Sequence, residues 1–358
     1  MNIKKYFACF YFALCFYNAH SQTSAIQYKS CINTLHKNIY RYFYDSTAKL
    51  FFEEYSFGKR QMHSYLWPLC ALIQAANEAE EINPDSNYIS PVVDAINQYY
   101  TDALPTPAYQ ASVTKEKKDD LFYDDNQWIA IAYLDIYNRT HEKKFLETSK
   151  MIYDFMMTGY DTISGGGLYW KYGNKSTKNT CSNGPGILVA LQLYKITNDK
   201  KYLNTALQLY NWVNAHLQSP DLLYYDNIKI PSLKIDSIKY TYNTGTMLQA
   251  NVLLYNITHK KEYLQKAEAI AEAARKYFYK DGQLPRNYWF NAVMLRGFIE
   301  LYKVDGNKQA LEFFYNDADR IWQNEKDSQD LLGTNANKKT LIDQAAMLEI
   351  YARLQKLN

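Results

Sequence analysis

Four stretches of the chain repeat one pattern of apolar and polar positions: LDIYNRTHEKKFL from Leu134, LQLYKITNDKKYL from Leu191, VLLYNITHKKEYL from Val252 and IELYKVDGNKQAL from Ile299. In each, an apolar helical tail ends in a tyrosine (Tyr137, Tyr194, Tyr255, Tyr302). A short polar turn follows, then a second amphipathic segment. Thr, Asn, His, Asp and Gly in the turns are residues that end one helix and begin the next. The first segment of a pair is apolar nearly all round, as in IAIAYL and GILVALQL. The second carries a one-sided stripe, as in FLETSKMIYDFM. Helices apolar on every side are buried, and those with a polar face lie at the surface. The pattern predicts inner helices near 65–79, 125–138, 183–196, 243–257, 288–303 and 341–355. Outer ones fall near 26–45, 87–102, 142–158, 200–217, 261–279 and 307–322.

Six pairs make an all-α fold, an (α/α)6 barrel of six inner and six outer helices. An open superhelix of hairpins is the alternative for such a repeat. The longer connections (103–124, 159–182, 218–242, 323–340) all precede inner helices, while the turns after inner helices are short. The long loops therefore gather at one mouth, where a binding site is expected.

Composition narrows the function classes. A net charge of +3 is too small and scattered for a nucleic-acid partner. The 35 tyrosines, with 16 Phe and 6 Trp, supply many apolar faces with polar handles, a surface suited to carbohydrate. Residues 1–21 read as a signal peptide: Lys4 and Lys5, an apolar run from Tyr6 to Tyr17 too short to span a bilayer, then Ala19-His20-Ser21. Cleavage near Ser21 leaves 22–358 as a single domain, exported to the periplasm or outside the cell. No membrane segment is expected in the mature chain, which is expected to be a monomer. Its cysteines, Cys31, Cys70 and Cys181, match no zinc pattern and read as structural.

In LFYDDNQWIAIAYL a long loop runs straight into an inner helix, with Asp124 and Asp125 in its first turn. Aspartate there is an ordinary helix cap or dipole partner. Tyr123 and Trp128, however, put unusual aromatic surface beside the pair. Polar and aromatic openings also recur in SNGPG (Ser182–Gly186), TYNTG (Thr241–Gly245) and NYWFN (Asn287–Asn291). Glycosidic cleavage needs one ionised and one protonated carboxyl, and two close carboxylates drive one pKa upward. Asp119 and Asp120, after two lysines, read as a solvated loop.

These segments resemble glycoside hydrolase family 76, the endo-α-1,6-mannanases, over essentially the whole mature chain. YDDNQWIAIAYL is the most specific match. GGGLYW (165–170), TCSNGPGILVALQLYKITND (180–199), TYNTGTMLQANVLLY (241–255) and VMLRGFIELY (293–302) support it. The resemblance implies a retaining reaction on an α-mannan polysaccharide or oligosaccharide, with Asp124 as nucleophile, Asp125 as general acid/base, and no metal or organic cofactor. The chain departs from the family pattern at Asn291-Ala292, where Lys-Gly is expected, and at Thr244, where Gln is. Candidate substrate contacts are Trp67, Tyr123, Asn126, Trp128, Gly165, Gly166, Gly167, Trp170, Asn183, Tyr242, Asn243, Trp289 and Arg296. Bland readings stand beside several: a flexible turn for the glycines, core packing for Trp128, an ion pair for Arg296. His141 and His259 are structural turn residues. A non-catalytic glycan-binding protein and a different (α/α)6 glycosidase, an inverting mannosidase or a glucuronyl hydrolase, remain as rivals.

Overall fold

The structure, a computed structural model, describes residues 27–102 and 106–357, so the expected leader lies outside the described residues. The twelve α-helices among the described residues are α1 (Tyr28–Asn38), α2 (Leu66–Ile82), α3 (Ile89–Ile96), α4 (Tyr123–Thr140), α5 (Lys143–Met157), α6 (Thr180–Thr197), α7 (Lys200–His216), α8 (Thr241–Thr258), α9 (Lys261–Phe278), α10 (Tyr288–Asp305), α11 (Glu312–Asn324) and α12 (Leu341–Lys356). The even-numbered helices pack side by side in sequence order, and α12 returns to α2, so the ring closes. This excludes the open superhelix. Helices α3, α5, α7 and α9 lie outside α2, α4, α6 and α8, while α1 and α11 pack against α12. Burial follows the sequence pattern: α6 is buried continuously from Thr180 to Leu193, whereas α9 buries only Ala267, Ile270, Ala271, Ala274 and Phe278. No helix among the described residues is long and apolar enough to cross a membrane.

The repeated turns share one cap. His141, Asn198, His259 and Gly306 end α4, α6, α8 and α10 in the left-handed conformation. Each donates its N–H to the carbonyl of Tyr137, Tyr194, Tyr255 or Tyr302. Threonines three residues after three of those tyrosines are not idle: Thr140, Thr197 and Thr258 bond back to the carbonyls of Ile136, Leu193 and Leu254. Each of these hydroxyls also accepts the N–H of the residue two positions on.

Two outer helices are shorter than their apolar patterns predict. Helix α1 stops at Asn38, widens into a π-turn over 39–43, and gives way to β1 (Tyr44–Asp45), paired with β2 (Leu50–Phe51). The aromatic run YRYFYD suits extended backbone as well as helix, and pairing decides it. Helix α3 likewise yields to a 3-10 turn over 97–99. The long connections also carry strands that have no alternating hydrophobic signature. The three-stranded sheet of β3 (Glu54–Ser56), β4 (Lys59–Arg60) and β11 (Lys338–Thr340) ties the connection before α2 to the one before α12. A small pair, β5 (Tyr100–Thr101) and β6 (Ala108–Tyr109), precedes α4. Strands β7 (Tyr169–Lys171), β8 (Asn174–Asn179), β9 (Tyr225–Lys229) and β10 (Ile235–Lys239) form a sheet in the order β10-β9-β8-β7, joining the connections before α6 and α8.

Side-chain amides fasten these connections to the barrel. The fourth residue of α4, α6, α10 and α12 is Asn126, Asn183, Asn291 and Gln344. Asn126 takes the N–H and C=O of Tyr109, both at 2.8 Å. Asn183 does the same for Leu168 (2.7 and 2.9 Å), and Gln344 for Leu332 (2.9 and 2.8 Å). Asn291 donates to the carbonyl of Pro285 at 2.8 Å. A buried backbone pair left unmet costs about 1–3 kcal/mol per group. Asn183→Ala is therefore expected to lower stability by roughly 2–4 kcal/mol, measured by urea unfolding, with Asn183→Gln intermediate.

Non-glycine residues in the left-handed region carry about 1 kcal/mol of strain. His259→Gly should raise the melting temperature by roughly 1–3 °C and Gly306→Ala should lower it by a similar amount, as read by differential scanning calorimetry.

Candidate active site

The ring fixes which side chains meet. Every inner helix begins at the loop-bearing mouth. The second residues are Trp67, Asp124, Cys181, Tyr242, Trp289 and Ile342, and all but Ile342 line one cleft of about 890 Å³. Asp125, Trp128, Phe290 and Phe122 join them. From the β7–β10 sheet come Trp170, Asn179, Asp226 and Asn227.

Neither aspartate caps α4. The N-cap is Phe122, which makes no side-chain cap bond, so both carboxyls are free to point elsewhere within the first turn. Asp124 accepts the N–H of Asp125 at 3.1 Å and the indole Nε1–H of Trp170 at 3.0 Å, and Cys181 lines the cleft with it. Burial raises its pKa to about 6, and hydrogen-bond donors around the carboxyl restrain the rise. Asp125 has no such donors. Burial first, and the charge of Asp124 second, push its carboxyl well above the ordinary range. The two protons are shared by the pair, and the first to leave is mainly that of Asp124. The turn thus favours an ionised Asp124, helped by the helix dipole, beside an Asp125 that holds its proton more tightly.

The walls suit a neutral polyhydroxylated ligand. Trp128, Trp289 and Trp67 form an edge-to-face chain (5.4 and 5.7 Å between centroids), Phe122 leans on Trp170 (4.9 Å), and Tyr242 stacks on Phe290 (4.0 Å). Asn179 and Asn227 are direct cross-strand partners on β8 and β9, so their amides lie side by side. Oδ1 of each, Oδ1 of Asn243 and Nε1 of Trp289 are buried without a hydrogen-bond partner. Such groups are costly unless a ligand or water meets them. Asp226 accepts from Asn243 at 3.3 Å and Asn227 at 2.9 Å, and burial raises its pKa. Asp119 and Asp120 reach the rim but are tied to Lys117 (3.1 Å) and Lys171 (2.8 Å).

Trp67, Trp128, Trp170, Tyr242 and Trp289 thus line the cleft with the aspartate pair, and the eight other candidates do not. Tyr123 is buried against Gly159 and Phe155. Asn126 and Asn183 spend their amides on loop backbone, as described above. Gly165, Gly166 and Gly167 have φ of +77°, +126° and +84°. A Cβ on Gly167 would sit 2.6 Å from the Trp212 ring, so they serve a tight turn packed on α7. Asn243 backs the cleft through Asp226. Arg296 lies at the opposite mouth, paired with Asp135 (2.8 Å) and bonded to Gln74 (2.9 Å), beside a separate cavity lined by Asn77, His141 and Lys195. Its place eight residues past the start of α10 puts it more than two turns from the cleft. Sequence reasoning missed Cys181, Asp226, Asn179, Asn227 and Phe290. Aligning the six helix starts would have found Cys181 and Phe290. No pattern in the polar strands marks the others.

A closed helical barrel with two unequal carboxyls in an aromatic, partner-poor cleft defines a carbohydrate-processing class of protein. The description of glycosyl hydrolase family 76 matches residues 27–287, and the chain belongs to that family. A family 76 glycoside hydrolase from a bovine Bacteroides thetaiotaomicron strain is 29% identical, with a TM-score of 0.84 over 93% of this chain and 78% of that one. A family 76 mannosidase from B. thetaiotaomicron VPI-5482 is 25% identical, with a TM-score of 0.83 over 92% and 98%. An inactive variant of a Salegentibacter α-1,6-mannanase, with two consecutive aspartates replaced by asparagine and α-1,6-mannotriose bound, shares the fold at 22% identity. Its TM-score is 0.81 over 93% of this chain and all (100%) of that one. Among curated proteins, a mannan endo-1,6-alpha-mannosidase of Saccharomyces cerevisiae is 28% identical over 149 residues. That match spans 39% of this chain and 33% of the yeast protein.

The raised Asp124 pKa has a thermodynamic consequence. The folded state holds this proton more tightly than the unfolded chain, so its contribution to stability is present below 3.8 and is lost as pH rises toward about 6. Asp124→Asn should therefore be more stable than the wild type at pH 7, by on the order of 1–3 kcal/mol. The gain should vanish below pH 4 in denaturant titrations at the two pH values.

Proposed function

We propose that this protein is a retaining, endo-acting α-1,6-mannanase that cleaves the α-1,6-mannan backbone through a covalent mannosyl-enzyme. The observation that carries the reading is the inequality of two adjacent carboxyls, Asp124 held by the Asp125 N–H and the Trp170 indole and Asp125 by no donor. Ionised Asp124 attacks the anomeric carbon. Protonated Asp125 gives its proton to the glycosidic oxygen as that bond breaks. Asp125, now a carboxylate, takes a proton from water, whose oxygen attacks the anomeric carbon and releases Asp124. Burial and the loss of the first negative charge keep Asp125 able to reverse its role.

Substrate class and linkage follow the family and the relatives, including the mannanase that is inactive when two consecutive aspartates are replaced. The aromatic walls and unpartnered amides support a neutral sugar. A glucuronyl hydrolase reading is disfavoured: no arginine lines the cleft among the described residues, and Lys117 is occupied by Asp119. A binding protein would have no use for two carboxyls held at this electrostatic cost. The activity would be exercised after export, in the periplasm or beyond.

Digestion of α-1,6-mannan by the wild type, Asp124→Asn and Asp125→Asn tests the assignment. Each variant is expected to lose at least about a thousandfold in kcat/KM, and proton NMR of the first product should show the α anomer. Binding without release of oligosaccharides, or full activity in either variant, overturns it. The wild-type kcat/KM should rise with pH through about 6 as Asp124 ionises, and fall at higher pH as Asp125 loses its proton.

A further inference from the structure

The inner helices turn one face to the barrel lumen, and that face continues past the cleft to the other mouth. Second, ninth, thirteenth and sixteenth residues of a helix share a face, because steps of seven, four and three return to one side. All the thirteenth residues, Glu78, Asp135, Gln192, Leu253, Glu300 and Arg353, line one cavity of about 800 Å³. Gln249 and Arg296 join it from the ninth position, and every inner helix but α8 adds its sixteenth residue. The thirteenth positions lie about 16 Å along the helix axes from the second positions that line the cleft. The two cavities are separate.

Most polar groups of this second cavity are tied to one another. Asp135 accepts Nε2–H of Gln192 at 2.7 Å and Nη2–H of Arg296 at 2.8 Å. Arg296 also donates to Oε1 of Gln74 at 2.9 Å, while Arg353 pairs with Glu349 at 2.8 Å and Glu78 at 3.1 Å. Lys303 pairs with Glu300 and Lys356 with Glu81, both at 2.7 Å. The exception is Gln249. It lines the cavity at 5% exposure, and its amide has no hydrogen-bond partner among the described residues. Oε1 of Gln192 and Nε of Arg296 are also buried and unmet. Buried polar groups are ordinarily met by protein, water or ligand, so acceptors and donors both stand in reserve here.

The charges narrow the kind of occupant. An ion of either sign competes with pairs already made, and the cations here also offset the partial negative charge of the helix C-termini. A neutral polyol needs no counter-ion. Its neighbouring hydroxyls donate to amide and carboxylate oxygens and accept from guanidinium and amide N–H groups, which are the groups this network holds in place. Tyr137 and His141, edge to face at 6.0 Å, add ring surface to the same wall. We propose that the mouth opposite the cleft is a second ligand site, which takes a neutral polyhydroxylated molecule of monosaccharide size through Gln249 and the Asp135–Arg296 pair. This site is independent of the mannanase reading.

The test is equilibrium dialysis with radiolabelled D-mannose, with tryptophan fluorescence followed in parallel. Trp67, Trp128, Trp170 and Trp289 line the cleft, and no tryptophan lines the second cavity among the described residues, so the fluorescence reports the cleft alone. Wild type is expected to bind mannose in the low millimolar range at a site that leaves the fluorescence unchanged. Gln249→Met, which removes an amide without breaking a bond, should weaken that site by about tenfold or more. Asn138→Phe, on the exposed rim, should crowd the entrance and give the same loss even if Gln249→Met folds poorly. Cleavage of α-1,6-mannotetraose by Gln249→Met should stay within about twofold of wild type. Mannose binding that is absent, that is equal in wild type and both variants, or that always changes the fluorescence overturns the proposal. So does inorganic phosphate binding more tightly than mannose in a Lys195-dependent way, which would make the cavity an anion site. If the wild type cleaves no α-1,6-mannan but the dialysis result holds, the second site stands and the mannanase reading falls.

Discussion

The cleft depends on buried amides that join irregular backbone to regular helices. A connection crossing the mouth of a helical barrel brings peptide groups that the helices, bonded within themselves, do not satisfy. Asn126, Asn183 and Gln344 each meet both polar groups of one loop residue, and Asn291 meets a carbonyl. Because each stands at the fourth residue of its helix, the loops are fastened at one height around the ring. Helix α8 has Thr244 at this position, and its hydroxyl is buried without a partner. The connection before α8 is held instead through the β7–β10 sheet and by Asn243 on Asp226.

That common height is what makes the second residue of each inner helix a cleft residue. Asp124 and Asp125 then occupy a place that polar solvation alone would not favour. The helix N-terminus, the Asp125 N–H and the Trp170 indole compensate Asp124, and nothing comparable compensates Asp125. The imbalance separates the two pKa values, so one fold position carries both an anion and an acid. Local instability here is the expected companion of chemistry, since a site optimised for folding would neutralise both groups.

The helical repeat was legible because inner and outer helices differ in how far apolar residues extend round the axis. LDIYNRTHEKKFL and its three counterparts also announced their caps through the tyrosine and turn residues, with a threonine in three of the four. Less was legible where backbone pairing outweighed side-chain pattern. YRYFYD left its helix for a π-turn and a strand, and NKSTKN formed a strand with no apolar alternation. Among site residues, the tryptophans at helix starts were readable, whereas Arg296 and Gly165–Gly167 resembled cleft residues only by composition and motif.

By itself, the sequence determined the number of helix pairs, which helices are buried, the mouth at which the long loops gather, and the position of the aspartates in a first turn. These are consequences of periodicity and of local turn chemistry, which act between residues near in the chain. Only the tertiary structure decided that α12 closes on α2, that Cys181 and Tyr242 share a cleft with Asp124, and that Asn179 and Asn227 face the cleft from paired strands. It also separated the two carboxyls, since burial and donors arriving from other helices and strands set each pKa, and those distances are not written in any local pattern.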